Sequence, residues 1–94
     1  TVECLREAGF AIADAAVAQG LGSTRWPARV EVVALRPAVV IDSAHNVPSA
    51  AALVTTLRQS VPVAGRKGCV FAVSADKQYP EILEVLAGFF DHFH

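Results

Sequence analysis

Ala38-Val39-Val40-Ile41-Asp42-Ser43-Ala44-His45-Asn46 is the stretch on which the fold turns. Four apolar residues, three of them β-branched, run together and stop at a polar cluster. A short run of this kind suits a strand covered on both faces. The spacing of Val47, Ala50, Ala51, Val54 and Leu57 then predicts a helix from about Val47 to Gln59. Asn46 fits its N-cap and Pro48 its first turn. After a loop over 61–67, the grammar repeats. Cys69 to Val73 reads as a second buried strand ending at Ser74-Ala75-Asp76-Lys77. A helix is expected from about Pro80 to the end, with Ile82, Leu83, Leu86, Phe89, Phe90 and Phe93 on its apolar face. Strand, helix, strand, helix implies a parallel sheet with right-handed crossovers.

Upstream, Val30 to Leu35 alternates like a strand, and Pro37 interrupts it. Ser23 to Arg29 has no periodicity and reads as a junction, with Trp26 as an apolar anchor. Thr1 to Gly22 reads as two short alanine-rich helices, the first ended by Gly9 and the second by Gly20 and Gly22. The expected fold class is therefore α/β: a partial Rossmann-like parallel sheet (βαβα) preceded by a short helical hairpin. Two core parallel strands are few for a sheet, so further strands are expected beyond His94.

Composition points the same way. The 94 residues are 53% hydrophobic and 18% charged, more apolar than an average soluble domain. With Thr1 in place of a starting Met and an apolar run from Leu86 to Phe93 at the other end, the chain is expected to be a piece of a longer protein. The net charge is -1 with signs interspersed, and no basic stripe suggests a nucleic-acid partner. No apolar stretch approaches the roughly 20 residues of a membrane span. Cys4 and Cys69 lie far apart without metal-type spacing and read as buried, reduced thiols, which suits a cytoplasmic protein.

Ligands of open parallel sheets bind at the carboxyl ends of the strands, and both polar clusters fall there. Asp42 offers two oxygens for ribose hydroxyls, or a cap for the turn. His45 can stack on a base or donate to a phosphate, or be an ordinary loop histidine. The helix after Asn46 offers backbone N–H groups and a positive dipole end, with Asn46 better suited to capping than to ligand contact. Asp76 and Lys77 fit a solvated pair. No phosphate-binding GxxxxGK[ST] loop, GxGxxG motif or metal-ligand cluster occurs.

Trp26-Pro27-Ala28-Arg29-Val30-Glu31-Val32-Val33, then Val40-Ile41-Asp42-Ser43-Ala44-His45-Asn46, then Asp76-Lys77 together resemble folylpolyglutamate synthases, or the bifunctional enzymes that are also dihydrofolate synthases, grouped with the Mur ligases in one ATP-dependent amide-forming superfamily. The family reads W-P-G-R-L-E-V-V, then D-G-A-H-N-P, then D-K-D at the end of a strand. Leu5 to Phe10 and the helix through Leu21 extend the resemblance to nearly the whole chain. Ala28 and Ser43 stand where the family has glycine, which alters loop geometry; the proline after Asn46 is shifted by one, and Gln78 replaces the last acid.

The resemblance implies residues 1–23 as the end of a central ATPase domain and 24–94 as the first part of a C-terminal α/β domain. It implies an ATP-dependent ligase adding L-glutamate to folate or a folylpolyglutamate, with Mg2+ held by residues outside this chain. Arg29 would reach the ATP phosphates, as its guanidinium fork suits. Asp42 would be the ribose-side carboxylate, His45 a nucleotide contact, and Asn46 a continuation of that motif. No catalytic or metal-binding residue is expected within 1–94, so the chain alone is expected to be inactive. A Mur-type ligase acting on a cell-wall precursor, or a stand-alone α/β binding module, are the competing readings.

Overall fold

The computed structural model describes residues 1–61 and 64–94; the loop expected over 61–67 therefore lies partly outside the described residues. Two helices, α1 (Val2–Glu7) and α2 (Asp14–Ser23), open the chain. Gly9, at φ +92°, follows the first as expected. Gly20 and Gly22 lie inside the second rather than ending it. Neither helix buries a residue. Arg6 bridges them, donating from Nε to the Ile12 carbonyl at 3.0 Å and pairing with Asp14 at 2.5 Å.

Strands β1 (Glu31–Leu35) and β2 (Ala38–Ile41) follow. The two-residue connection Arg36-Pro37 permits only an antiparallel return, and the two form a hairpin with Glu31 opposite Ile41 and Leu35 opposite Ala38. Val32 pairs with Val40 and Ala34 with Val39, so Val33 is the extra residue of a bulge.

Helix α3 (Val47–Ser60) buries Ala50, Val54 and Leu57. It packs on α4 (Tyr79–Ala87), which buries Ile82 and Leu86. Ala50 and Ile82 are fully buried at the centre of this contact. Burial of an isoleucine or leucine of this kind contributes about 1.5–3 kcal/mol, so the core lies between these two helices.

Strand β3 (Gly68–Cys69) pairs in parallel with β4 (His92–Phe93). Backbone bonds extend the pairing: Asp91 N–H donates to the Lys67 carbonyl, and Phe71 N–H to that of His94. The protein is thus α/β, with helix and strand alternating from β2 to β4.

Several local expectations change. The helix from Pro80 ends at Ala87, because Gly88 caps it and the chain turns at Phe89 and Phe90. Phe93 belongs to a strand, not to the helix face its spacing imitates. The strand expected over Cys69 to Val73 is regular only at its start. Ala38 to Ile41, expected to be covered on both faces, is mostly exposed. The physical reason is that β2 pairs with β1 and β3 with β4, as two separate sheets. Between them lies a cavity of about 500 Å3, lined by β2, by residues 67–72 and by Ala50, Leu53 and Ile82. Cys69 is half-buried and its thiol is pushed up by burial, whereas Cys4, expected to be buried, is exposed; both are free. Trp26, expected to be an anchor, is 67% exposed.

The radius of gyration is 17.2 Å, against about 12 Å for a compact domain of this length. The accessible surface is 7210 Å2, where a compact monomer of this mass has about 5200 Å2. Hairpin and helices are spread out rather than gathered around one core. No helix among the described residues is long and apolar enough to cross a membrane.

Candidate functional site

The polar loop 42–46 leaves the carboxyl end of β2 and enters α3. Asn46 accepts from the Ser49 backbone N–H at 2.9 Å, and the Ser49 hydroxyl oxygen accepts the N–H groups of His45 and Asn46, each at 3.1 Å. This is a capping box. It corrects the expectation of a helix start rich in free donors. Pro48 has no N–H, and those of Ser49 and Ala50 are taken by Asn46. Asn46 is therefore a cap in this structure.

Asp42 is half-buried and engages both carboxylate oxygens. Oδ1 accepts from the Ala44 N–H at 2.7 Å, and Oδ2 accepts from the Val30 N–H at 2.8 Å. The second bond crosses to the segment that carries Arg29. A third contact runs beside it, the Ser43 N–H donating to the Ala28 carbonyl at 2.8 Å. Asp42 therefore fastens two loops together, and each oxygen keeps a second lone pair for a ligand hydroxyl.

Arg29 sits between two residues in left-handed backbone conformation, Ala28 at φ 54° and Val30 at φ 48°. A β-branched residue there is a marked outlier. Such conformations cost about 1–3 kcal/mol each and persist only where neighbours over-determine them. The Arg29 side chain is exposed, and its guanidinium lies 5.6 Å from the Trp26 ring centroid. Among the described residues no carboxylate pairs with it.

His45 is exposed, with Nδ1 3.0 Å from the Ser43 carbonyl oxygen. A carbonyl only accepts, so in the neutral ring Nδ1 carries the proton and Nε2 is left as an acceptor. Asp76 and Lys77, on the second polar loop, pair with each other at 3.1 Å; the hydrogen bond and charge of Lys77 hold the exposed Asp76 carboxyl below its usual range. The structure thus ties the segment carrying Arg29 to the 42–46 loop, while Asp76 and Lys77 form a separate solvated pair. Sequence reasoning missed Glu31, whose Oε2 accepts the Ala28 N–H at 2.9 Å. Its place two residues after the arginine, in the quoted W-P-x-R-x-E stretch, was the available signal.

In open α/β sheets ligands bind outside the carboxyl ends of the strands, and the 42–46 loop leaves that end of β2, which here pairs antiparallel with β1. Residues 28–94 match the family described as Mur ligase, glutamate ligase domain, and the chain belongs to that family. It is 36% identical over 76 residues to the folylpolyglutamate synthase of Lacticaseibacillus casei, covering 79% of this chain and 17% of that protein. Its fold is similar to Escherichia coli FolC in complex with DHPP and ADP, with a TM-score of 0.87 and 28% identity over 98% of this chain and 22% of that one. It is likewise similar to a bifunctional folylpolyglutamate synthase/dihydrofolate synthase from Yersinia pestis complexed with AMPPNP and Mn ion (TM-score 0.83, 28% identity, 98% and 22% covered). The chain spans about a fifth of the length of these relatives.

Proposed function

We propose that this chain is part of an ATP-dependent ligase that adds L-glutamate to folate or a folylpolyglutamate, and that it brings Arg29, Asp42, His45 and Asn46 to the nucleotide. In this reading residues 1–23 close a central ATPase domain and 24–94 open the C-terminal domain. The reaction runs in the cytoplasm. The folate carboxylate attacks the γ-phosphorus of ATP, and the bond to the bridging oxygen breaks to release ADP. The amine of glutamate then attacks the acyl phosphate carbon, phosphate leaves, and the amine proton passes to solvent. Mg2+ would neutralise phosphate charge, and residues outside 1–94 would hold it.

Arg29 supplies an exposed cation to the phosphates; its worth is greatest as charge shifts during transfer, so it lowers the barrier rather than merely binding. Asp42 accepts from ribose hydroxyls with the lone pairs its amide contacts leave over. His45, three residues further along the same loop, meets the nucleotide through the ring edge opposite Nδ1. Asn46 follows His45 at the N-cap of α3 and continues that contact with the nucleotide.

The observation that carries this reading is the pair of bonds joining the Arg29 segment to the 42–46 loop, Val30 N–H to Asp42 and Ser43 N–H to the Ala28 carbonyl. They hold the backbone segment that carries Arg29 against the loop that carries Asp42 and His45, at the carboxyl end of β2. The test is Arg29→Ala in the full-length ligase. Cationic contacts in phosphoryl transfer are worth on the order of a thousandfold, and kcat should fall by about that factor. An exposed arginine should leave the melting temperature nearly unchanged. Near-normal turnover, or a loss that only follows a collapsed melting temperature, defeats the reading.

A further inference from the structure

We propose that Glu31 is a positioning residue for Arg29: its carboxylate, with that of Asp42, holds a strained turn in the one shape that presents the guanidinium. The inference rests on the nucleotide role of Arg29 given above.

The turn is costly. Residues on both sides of Arg29 are left-handed, and neither is glycine. Left to itself the segment would relax, because a side chain with a Cβ disfavours this region. What opposes relaxation is a set of three hydrogen bonds to the two flanking residues. The Ala28 N–H donates to Glu31 Oε2 at 2.9 Å, and the Ala28 carbonyl accepts from the Ser43 N–H at 2.8 Å. The Val30 N–H donates to Asp42 Oδ2 at 2.8 Å. Two of the three acceptors are carboxylates, which bind N–H groups about twice as strongly as neutral oxygens. Asp42 secures the far side of the arginine, and Glu31 secures the near side.

Glu31 is also a carboxylate two residues from an arginine. It does not pair with that arginine; its Oε2 is turned onto the Ala28 amide instead. A Glu31–Arg29 ion pair would neutralise the cation and compete with phosphate. By binding the backbone, Glu31 fixes the turn and leaves the guanidinium without a carboxylate partner among the described residues.

The experiment uses the full-length ligase with kcat and KM for ATP measured for five variants, Arg29→Ala among them. Glu31→Ala should lower kcat about tenfold, the scale of a lost charge-assisted bond and a misplaced catalytic group, with KM changed less than about twofold. Glu31→Gln keeps an acceptor oxygen at the same reach and should retain most activity. Glu31→Asp keeps the charge but is one methylene short, and should resemble Glu31→Ala; it also serves if Glu31→Ala is insoluble. Because Glu31 acts through Arg29, Arg29→Ala/Glu31→Ala should be no slower than Arg29→Ala alone. Wild-type kcat in both Glu31→Ala and Glu31→Asp, an Asp variant better than the Gln variant, or multiplicative losses in the double variant would each overturn the inference. If Arg29→Ala itself keeps its turnover, the nucleotide reading fails first; if only the Glu31 variants are unaffected, the positioning role alone fails.

Discussion

Asp42→Ala offers the sharpest test of how the two loops are held. The substitution removes both acceptors from the Ala44 and Val30 N–H groups, bonded at 2.7 and 2.8 Å. A hydrogen bond to a charged group contributes about 1.5–3 kcal/mol, and the half-buried setting argues for the lower end. Two such bonds come to roughly 3 kcal/mol. Against that, freeing the Val30 turn releases part of a strain of about 1–3 kcal/mol. The net cost to the loop is then about 2 kcal/mol. Hydrogen exchange reads this locally. A 2 kcal/mol loss of protection corresponds to about 30-fold faster exchange, since 1.4 kcal/mol is tenfold. The Val30 and Ala44 amides should accelerate by about that factor, while amides of the buried Val54 and Ile82 hold theirs. Asp42→Asn keeps one acceptor and turns an N–H2 toward the other donor, so it should lie between wild type and Ala. Unchanged exchange at Val30 and Ala44 in Asp42→Ala would refute the reasoning.

Two further outcomes are expected. Gly68→Ala should destabilise the β3–β4 pair by about 1 kcal/mol, because a Cβ there would lie 2.6 Å from His92 Nε2; a melt of Gly68→Ala/His92→Ala should show that cost largely removed, and an additive loss would count against it. The exposed Asp91 carboxyl is held below its ordinary range, first by the Lys67 backbone N–H and then by the Lys67 charge. A carboxylate depressed on folding stabilises above its unfolded value and loses that effect as pH falls through the folded one. Unfolding should therefore ease below about pH 4, and Asp91→Asn should flatten that acid limb in pH-dependent melts.

Much of the helical and strand content was legible in the sequence. The period of Val47, Ala50, Val54 and Leu57 marks one helix face, and that helix buries Ala50, Val54 and Leu57. Asn46 and Pro48 mark its start, where the capping box forms. Illegible were the pairings. Periodicity reports which face is apolar but not which neighbour an edge meets, so the hairpin of β1 with β2 replaced the expected sheet partner. Phe89, Phe90 and Phe93 keep a helical spacing by coincidence across the Gly88 turn. The first two stack edge to face on leaving the helix, with ring centroids 5.0 Å apart. At the site, the motif order pointed to Arg29, Asp42 and His45 as candidates, whereas the work of Glu31 and Asp42 on the backbone depends on torsions that no residue pattern displays. A valine at φ 48° is against its own propensity, and only the contacts explain it.

Most decisive is where a nucleotide lies against this chain. A crystal structure of the full-length protein with ADP measures that. The Arg29 guanidinium is expected within hydrogen-bond distance of phosphate oxygens, with Asp42 at the ribose and His45 against the nucleotide. ADP bound with Arg29 still resting on the Trp26 ring, and with no contact from the 42–46 loop, would contradict it.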